Sequence, residues 1–320
     1  MSVGANIRKR RYELKMSQQD LADAMGYKTR TTIAKIESGE NDISQGKLQK
    51  LAKILDTSVE VLLMGNDSLN LPQSFSVEDI PVDHSSNRKK NVVLIMAGGK
   101  SSRNMQNIPN QFINVMGKPV IIYCLEAYQM HPSIDDIYIV CIKGWESIVQ
   151  AYAEQFNISK LKGIIPAGPS GIISVKNGLD HIKGLYKKED NIIIQEATRP
   201  MVSVEMISKL IQTVNSIGSA SICRSMVDYV QFSVTEKKVS YLDRNTTVDL
   251  QSPEAFTLEI LCNAFDKAAK TNHELTESCC AMLLHNLGYY INFIEGSSNN
   301  LKIIRQEDIA IFTALLKQNM

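Results

Sequence analysis

The sequence predicts a multi-domain protein in which an all-α domain precedes a larger α/β domain with a mostly parallel sheet. Its length of 320 residues exceeds what one ordinary domain needs. Residues 1–65 carry apolar positions at helical spacing, whereas from residue 91 short apolar runs alternate with helical stretches. Residues 66–90 lack periodicity and contain two prolines, which predicts a linker. The predicted domains are therefore 1–65 and 91–320.

The small domain is predicted to be a series of short helices. A charged helix covers residues 8–15, and a second begins at Ser17, where SQQD offers an N-cap followed by an acidic residue, and ends at Gly26. A third helix is predicted over 29–37. Then LQKLAKIL places its apolar residues on one helical face, and VEVLLMG closes the domain.

The large domain is predicted from seven successive segments. Apolar strand runs alternate with helical stretches in the order NVVLIM, VIIYCLEAYQ, DIYIVCI, ESIVQAYAEQF, KGIIP, SVKNGLDHI and NIIIQEA. Strands that are nearly continuous in apolar character are typical of parallel sheets covered by helices on both faces. Ligands of such sheets bind at the carboxyl ends of the strands, where AGGKSSR, PAGPSG and QEATRP fall.

Composition narrows the class of protein. Hydrophobic residues make up 44% and charged residues 22%, as in globular domains. No apolar run reaches about 18 residues and the N-terminal stretch is charged, so we expect no membrane association and a cytoplasmic location. The six cysteines form no CxxC pair, which predicts neither disulfides nor a zinc site. The formal net charge is +1, but residues 1–65 hold 11 Lys/Arg against 8 Asp/Glu, a net of +3 that leaves −2 for the rest.

Two helices of the small domain, joined by the turn GYKT, have the form of a helix-turn-helix. The second helix starts with polar and cationic residues that would face base edges in the major groove, and Gln18 would reach backbone phosphate. The predicted DNA contacts are Gln18, Lys28, Arg30, Thr31, Thr32 and Lys35. From periodicity alone, a helical protein-interaction module with a solvated basic face fits equally well.

The stretch RRYELKMSQQDLADAMGYKTRTTIAKIESGEN, with the later LAKILDTSVEVLLMG, resembles the Cro/C1-type (XRE) helix-turn-helix family. The resemblance implies five helices, homodimeric binding to a two-fold operator in double-stranded DNA, and a structural ion pair between Arg11 and Glu37. One departure is the extra residue in GYKTRTT, which lengthens the turn before the reading helix. The net of +3 predicts few phosphate contacts and binding that weakens with salt.

A Gly-rich turn, AGGKSSR at 97–103, directly follows the predicted strand NVVLIM. Its spacing differs from a Walker A loop and from GxGxxG. Successive backbone N–H groups in such a turn can hold phosphate oxygens, with Lys100 and Arg103 as counter-charges. The alternative is an ordinary Gly-rich turn with solvated cations.

Residues 91–320 contain, in this order, the segments AGGKSSR, IPNQF, AGPSGIISVKNGL, QEATRP, RNTTVDLQSPEAF and EGSSNNLKIIRQEDI. They resemble, in the same order, the motifs AxGxGxR, PKQF, GGxxRxxSVxNGL, HDAxRP, RxxLWxxQTPQxF and EGxxxNxKITxxEDL of the 2-C-methyl-D-erythritol 4-phosphate and ribitol 5-phosphate cytidylyltransferases. The resemblance implies a nucleotide-diphospho-sugar transferase (Rossmann-like) fold. It also implies CTP and a polyol or methylerythritol phosphate as substrates, with Mg²⁺ or another divalent cation bridging the triphosphate.

The resemblance also implies roles for individual residues. Arg103, Lys100 and Glu196 are the implied catalytic residues, and Glu196 is also the implied metal ligand. The implied nucleotide-binding residues are Ala97, Gly98, Gly99, Lys100, Ser101, Arg103, Gly168 and Ser174. The implied substrate-binding residues, for the phosphorylated polyol, are Asp228, Arg244 and Lys302.

Four departures from the family pattern predict weakened chemistry. Asn110 stands where the family has a lysine, Gly171 where it has an arginine, Ser101 where it has a glycine and Glu196 where it has an aspartate. Losing one cation that faces the transition state costs about two to three orders of magnitude in rate. We hypothesise that Lys100 compensates for Asn110.

Three functions stay open on the sequence alone. The first is an enzyme that forms a CDP-polyol and pyrophosphate and also binds DNA. The second is a transcription regulator whose impaired cytidylyltransferase-like domain senses a nucleotide or CDP-linked ligand. The third is a regulator in which the large domain is only a dimerisation scaffold.

Overall fold

The computed structural model describes residues 3–27, 29–41, 43, 45–57, 59, 62, 88–100, 108–236 and 238–318. The chain divides into two compact units, Met1–Phe75 and Ser76–Met320, and each is described by itself. None of the helices that the structure describes combines the length and apolar character that a membrane span needs.

The first unit contains α1 (Val3–Glu13), α2 (Gln18–Met25), α3 (Thr31–Ser38) and α4 (Gln45–Ile54). These correspond to the first four predicted helices, while most of VEVLLMG lies outside the described residues. A capping box begins α2, because Ser17 Oγ accepts the Asp20 N–H and the Asp20 carboxylate accepts the Ser17 N–H. Gly26 ends the helix in the left-handed region at φ 81°.

An ion pair links α1 to α3 inside this unit. Arg11 Nε donates to Glu37 Oε1 at 2.7 Å and Arg11 Nη2 donates to Glu37 Oε2 at 3.0 Å. Both side chains are only 3% exposed. The pairing implied by the family resemblance is therefore confirmed, and it fixes the two helices around an apolar core that includes Ile7, Leu21 and Ile33.

The second unit is built on a seven-stranded sheet that consists of β1 (Asn91–Ala97), β4 (Asp136–Cys141), β5 (Leu161–Pro166), β6 (Asn191–Glu196), β7 (Ser219–Ser225), β10 (Val248–Thr257) and β11 (Phe293–Glu295). Strand β1 pairs in parallel with β4 and β6, while β10 runs antiparallel to β6 and β7. The order of the strands across the sheet is β11-β7-β10-β6-β1-β4-β5. The predicted mostly parallel sheet is confirmed.

Helices cover both faces of this sheet. They are α5 (Val120–Met130), α6 (Glu146–Gln155), α7 (Gly171–Ile182), α8 (Val204–Ile217), α9 (Leu258–Lys270), α10 (Cys280–Asn286) and α11 (Gln306–Gln318). Val93 and Ile95 of β1 pack with α5 and α8, whereas Val92 and Leu94 pack with α7 and α9. Because successive strand side chains point to opposite faces, burial on both faces explains the continuous apolar run NVVLIM.

Two short two-stranded sheets complete the unit. β2 (Asn114–Val115) pairs with β3 (Lys118–Pro119), and β8 (Gln231–Val234) pairs with β9 (Val239–Leu242) in a hairpin outside the main sheet, here called the arm. The arm and its flanks carry exposed apolar side chains, namely Val227, Tyr229, Val230, Phe232, Val234, Val239, Tyr241 and Leu242. All six cysteines are free.

Candidate nucleotide site and DNA-contact helix

A cavity of about 600 Å³ lies at the carboxyl ends of β1, β5 and β6, as the parallel sheet predicts. The three predicted loops meet there. Its walls are formed by Met96, Gly98, Gly99, Lys100, Asn110, Gln111, Gly168, Pro169, Ser170, Gly171, Ser174, Glu196, Thr198, Lys302, Ile303 and Ile304.

The glycine turn after β1 forms one wall of this cavity. A Cβ at Gly98 would lie 2.6 Å from Ala167 Cβ, so only glycine fits this close approach. Gln111, which is buried, donates from Nε2 to the carbonyls of Ala97 at 2.9 Å and Gly99 at 3.0 Å. One side chain therefore holds two carbonyls of the turn, and Lys100 follows at the exposed edge.

Three residues predicted in this turn are not part of the described cavity wall. Ala97 is buried at the end of β1 and does not line the cavity. Ser101 and Arg103 lie outside the described residues. Of the turn, the structure therefore brings Gly98, Gly99 and Lys100 to the site.

The loop before α7 forms the facing wall. Ser174 Oγ accepts the Gly168 N–H at 2.9 Å and donates to the Ser170 carbonyl at 2.7 Å. A Cβ at Gly168 would lie 2.6 Å from Ile173 Cγ2. Ser174, implied by the resemblance to contact the base, is thus engaged in shaping its own loop. Gly171 begins α7 on this wall and is exposed, and a Cβ there would lie 3.6 Å from Ser278 O, an ordinary contact distance.

Glu196, the last residue of β6, carries two cationic partners. Arg199 Nε donates to Oε2 at 2.9 Å, and Lys302 Nζ forms a close ion pair with Oε1. Burial by itself would raise the pKa of Glu196, but the charges and hydrogen bonds of Lys302 and Arg199 outweigh burial and hold that pKa below its ordinary value. The carboxylate is therefore ionised at neutral pH.

Glu196 also fits the metal role that the resemblance implies. It is the one carboxylate among the described residues of the cavity wall. Mg²⁺ takes oxygen ligands and is commonly held by one or two carboxylates together with substrate phosphates. In the described parts of the chain no group of three or more His, Cys, Asp or Glu side chains is placed to hold a metal ion by itself. A cation at Glu196 would compete with Lys302 and Arg199.

Asn110 lies in the cavity wall where the family has a lysine. Its side chain is buried, and Nδ2 donates to the carbonyls of Ile303 at 3.3 Å and Ile304 at 3.0 Å. Sequence reasoning treated this residue only as a missing cation and missed Gln111 beside it. Two adjacent amides before an aromatic residue, in PNQF, were the signal available.

Two of the residues predicted to bind polyol phosphate lie apart from this cavity. Asp228 and Arg244 are exposed and flank the arm, and neither lines the cavity. Lys302 does line it. Within one chain, the cavity therefore contains Lys302 and Glu196, but it does not contain the other two predicted substrate-binding residues, Asp228 and Arg244.

In the first unit, α3 presents an exposed polar face. Thr31 and Lys35 are exposed and Thr32 is half-buried, while Ile33 and Ile36 are buried on the opposite face. Arg30 precedes the helix at its N-cap and is exposed. Lys28 lies outside the described residues.

Gln18, at the start of α2, already has a partner. Its Nε2 donates to Glu37 Oε2 at 2.9 Å. A contact between Gln18 and DNA phosphate would therefore have to share or replace this hydrogen bond.

Comparison with known proteins agrees with both units. Residues 91–318 match the family model of 2-C-methyl-D-erythritol 4-phosphate cytidylyltransferase, and residues 7–62 match a helix-turn-helix model. The chain is 31% identical over 227 residues to a ribitol-5-phosphate cytidylyltransferase of Lacticaseibacillus paracasei, covering 70% of this chain and 97% of that protein. It is 33% identical over 230 residues to that of Vibrio parahaemolyticus, covering 71% and 95%.

A solved structure agrees in fold. The 4-diphosphocytidyl-2C-methyl-D-erythritol synthase from Anaerococcus prevotii superposes with a TM-score of 0.61 at 21% identity, covering 72% of this chain and 99% of that one. The predicted helix-turn-helix domain and nucleotide-diphospho-sugar transferase fold are thus both confirmed. The chain belongs to the 2-C-methyl-D-erythritol 4-phosphate cytidylyltransferase family and carries a helix-turn-helix domain ahead of its cytidylyltransferase domain.

Proposed function

We propose that the large domain binds CTP and a polyol phosphate and transfers the cytidylyl group, while the small domain binds double-stranded DNA. The observation that carries the proposal is one cavity that contains both the Gly98–Lys100 turn and the Glu196–Lys302 pair. A glycine turn suits phosphate oxygens, and a lysine beside a carboxylate suits a second anionic substrate together with a divalent cation.

The transfer follows from charge. An oxygen of the polyol phosphate attacks the α-phosphorus of CTP, the bond from that phosphorus to the bridging oxygen breaks, and pyrophosphate leaves. Catalysis of such a step is mainly positioning and stabilisation of charge on the phosphoryl oxygens. Lys100 and Lys302 are the cations of the described cavity wall. Bound at Glu196, Mg²⁺ would supply further neutralisation of the triphosphate.

Lys302 can pair either with the Glu196 carboxylate or with a substrate phosphate. In the structure its ammonium pairs with Glu196. A substrate phosphate would draw Lys302 toward itself, and Glu196 would then be left with Arg199 and be able to take a cation. The two substrates and the cation are therefore expected to bind favourably together.

Pyrophosphate release tests the enzymatic proposal. The full-length protein is incubated with CTP and Mg²⁺ and with either ribitol 5-phosphate or 2-C-methyl-D-erythritol 4-phosphate. We expect release with one of the two. Absence of release, together with no heat and no thermal shift at millimolar CTP, would falsify the proposal.

A second function, ligand sensing without turnover, is favoured by one observation. Asn110 is committed to backbone carbonyls and Gly171 has no side chain, so two family cations are absent from the described cavity wall. In this form CTP or a CDP-linked ligand binds and changes DNA affinity, and DNA changes ligand affinity by the same factor. Binding by calorimetry with no pyrophosphate release, and an operator affinity that shifts with CTP, would support it.

DNA binding itself is tested with an operator selected from random duplexes. We expect the affinity to fall as salt rises, because counterions are released from phosphate. Lys35→Ala should weaken binding, whereas Lys53→Ala, on α4, is a control of equal charge. Equal loss in both variants would count against α3 as the reading helix.

The homodimer is proposed on the arm. Its exposed apolar side chains form a surface of the kind that commonly marks an interface. Pairing of arms would also carry Asp228 and Arg244 toward a second copy. Sedimentation of the full-length protein should give a dimer, and Phe232→Ser with Val234→Ser should shift it toward monomer.

A further inference from the structure

The turn Asn110–Phe112 contacts both the glycine turn and the segment that follows Lys302. Gln111 holds the carbonyls of Ala97 and Gly99, in the glycine turn. Asn110 holds the carbonyls of Ile303 and Ile304, directly after Lys302. Adjacent side chains therefore tie the glycine turn and the segment after Lys302 to one point, although Ile303 lies 193 residues beyond Asn110 in sequence.

The turn is itself firmly held. Phe112 stacks on Trp145 with ring centroids 4.3 Å apart and planes at 7°. The Phe112 N–H donates to the Pro109 carbonyl at 2.8 Å. Asn110 and Gln111 are both buried, so neither side chain has room to adopt many other rotamers.

The segment around Lys302 has a second tether. The Ile303 N–H donates to the Thr198 carbonyl at 2.8 Å, and the Ile304 N–H donates to Asp308 Oδ2 at 2.8 Å. Ile303 is buried. The backbone on the carboxyl side of Lys302 is thus fixed at both its N–H and its carbonyl groups, and Asn110 supplies the carbonyl contacts.

We propose that Asn110 and Gln111 form a brace that sets the position of Lys302 relative to the glycine turn. In this brace Asn110 is a positioning residue for the polyol-phosphate half of the cavity and Gln111 is one for the nucleotide half. The inference rests on the proposed function, in which Lys302 meets the substrate phosphate. It gives the Asn110 departure a role beyond the loss of a charge.

An amide suits this task better than the family's lysine. The Nδ2 group of asparagine carries two protons in one plane, and it donates to both carbonyls. A lysine ammonium at a buried position would have to turn toward solvent or phosphate to stay charged, which would leave the carbonyls without this donor. The brace and the lysine are therefore alternatives at position 110.

Isosteric variants of the full-length protein test the brace. Asn110→Leu and Gln111→Met keep the side-chain volume and remove the donors. We expect Asn110→Leu to raise KM for ribitol 5-phosphate about tenfold while the Kd for CTP with Mg²⁺ stays within about twofold. Gln111→Met should do the reverse, weakening CTP about tenfold. Asn114→Leu is the matched control, since Asn114 is exposed and its side chain accepts the nearby Gly117 N–H.

Hydrogen exchange gives a readout that does not depend on turnover. Amide exchange in residues 302–305 should speed up in Asn110→Leu, and exchange in residues 97–100 should speed up in Gln111→Met. If the unchanged protein neither binds CTP nor releases pyrophosphate, the proposed function fails while exchange still decides the brace. Unchanged exchange in both variants, or identical effects of both variants on the two substrates, would overturn it.

Discussion

The carboxylates of Glu37 and Glu196 are each held by two side-chain partners, yet they occupy different environments. Glu37 in the first unit binds Arg11 and Gln18, and Glu37 and Arg11 are each 3% exposed. Glu196 in the second unit binds Arg199 and Lys302, with Glu196 33% and Lys302 40% exposed. The buried Arg11–Glu37 pair holds its two helices together. The open cluster can exchange partners with a ligand, which is what a substrate site requires.

The largest effect is expected from breaking the buried cluster. Glu37→Gln leaves Arg11 buried without its counter-charge, which should cost about 3 to 5 kcal/mol of unfolding free energy. Urea unfolding of the full-length chain, followed by a probe in the first unit, measures it. Glu13→Gln is the control, because Glu13 pairs with Arg10 at the surface and should cost less than about 1 kcal/mol. Equal losses in the two variants would contradict a structural role for Glu37.

Breaking the open cluster of Glu196, Arg199 and Lys302 should change the catalytic activity instead of the free energy of unfolding. Glu196→Gln and Lys302→Met should each lower kcat/KM for cytidylyl transfer about a hundredfold, because Lys302→Met removes a cation from the cavity and Glu196→Gln removes the carboxylate that would hold Mg²⁺. Lys302→Met should act mainly on the polyol phosphate, and Glu196→Gln on the dependence on Mg²⁺. Pyrophosphate release measures both.

A matched pair elsewhere serves as control for these variants. Lys118 and Glu126 form an ion pair of similar exposure that does not line the cavity. Glu126→Gln should leave kcat/KM within about twofold. If it lowers activity as much as Glu196→Gln does, the open cluster has no special part in catalysis.

A third carboxylate extends the comparison, because Glu254 is buried and its side chain accepts from two backbone amides. It accepts the N–H groups of Cys280 at 3.1 Å and Ala281 at 2.9 Å, and burial raises its pKa to about 7. Because the folded-state pKa lies above the ordinary 4.5, the folded protein binds the extra proton and its stability falls as pH rises from about 4.5 to about 7.

Glu254→Gln should remove that pH dependence. The difference in unfolding free energy between pH 5 and pH 7.5 should shrink by about 2 kcal/mol relative to the unchanged protein. Urea unfolding of the second unit at the two pH values measures it. An unchanged difference would mean that Glu254 is ionised across the whole range.

The sequence predicted the fold well and the site only in part, for physical reasons. Strands buried on both faces leave continuous apolar runs, so the parallel sheet and the meeting of its loops were readable. The contacts of Asn110 could not be predicted, because their acceptors are the backbone carbonyls of Ile303 and Ile304. A backbone carbonyl accepts a hydrogen bond whichever side chain its residue carries. The Glu196–Lys302 pair spans 106 residues, and nothing local marks either residue as the other's partner. Where Asp228 and Arg244 lie depends on the arm, which the apolar pattern did not predict.

The smallest expected effects come from restoring the family's cations at positions 171 and 110. The two variants are expected to act in opposite directions. Gly171 is exposed, and a Cβ there would meet Ser278 O at an ordinary 3.6 Å, so Gly171→Arg should be accommodated and should tighten CTP binding about five- to tenfold. Asn110→Lys should instead weaken polyol-phosphate binding, since it removes the donor to Ile303 and Ile304. Calorimetry with CTP, and pyrophosphate release at varied ribitol 5-phosphate, compare the two variants. A rise in activity in Asn110→Lys would mean that position 110 lost a catalytic charge without gaining a structural task.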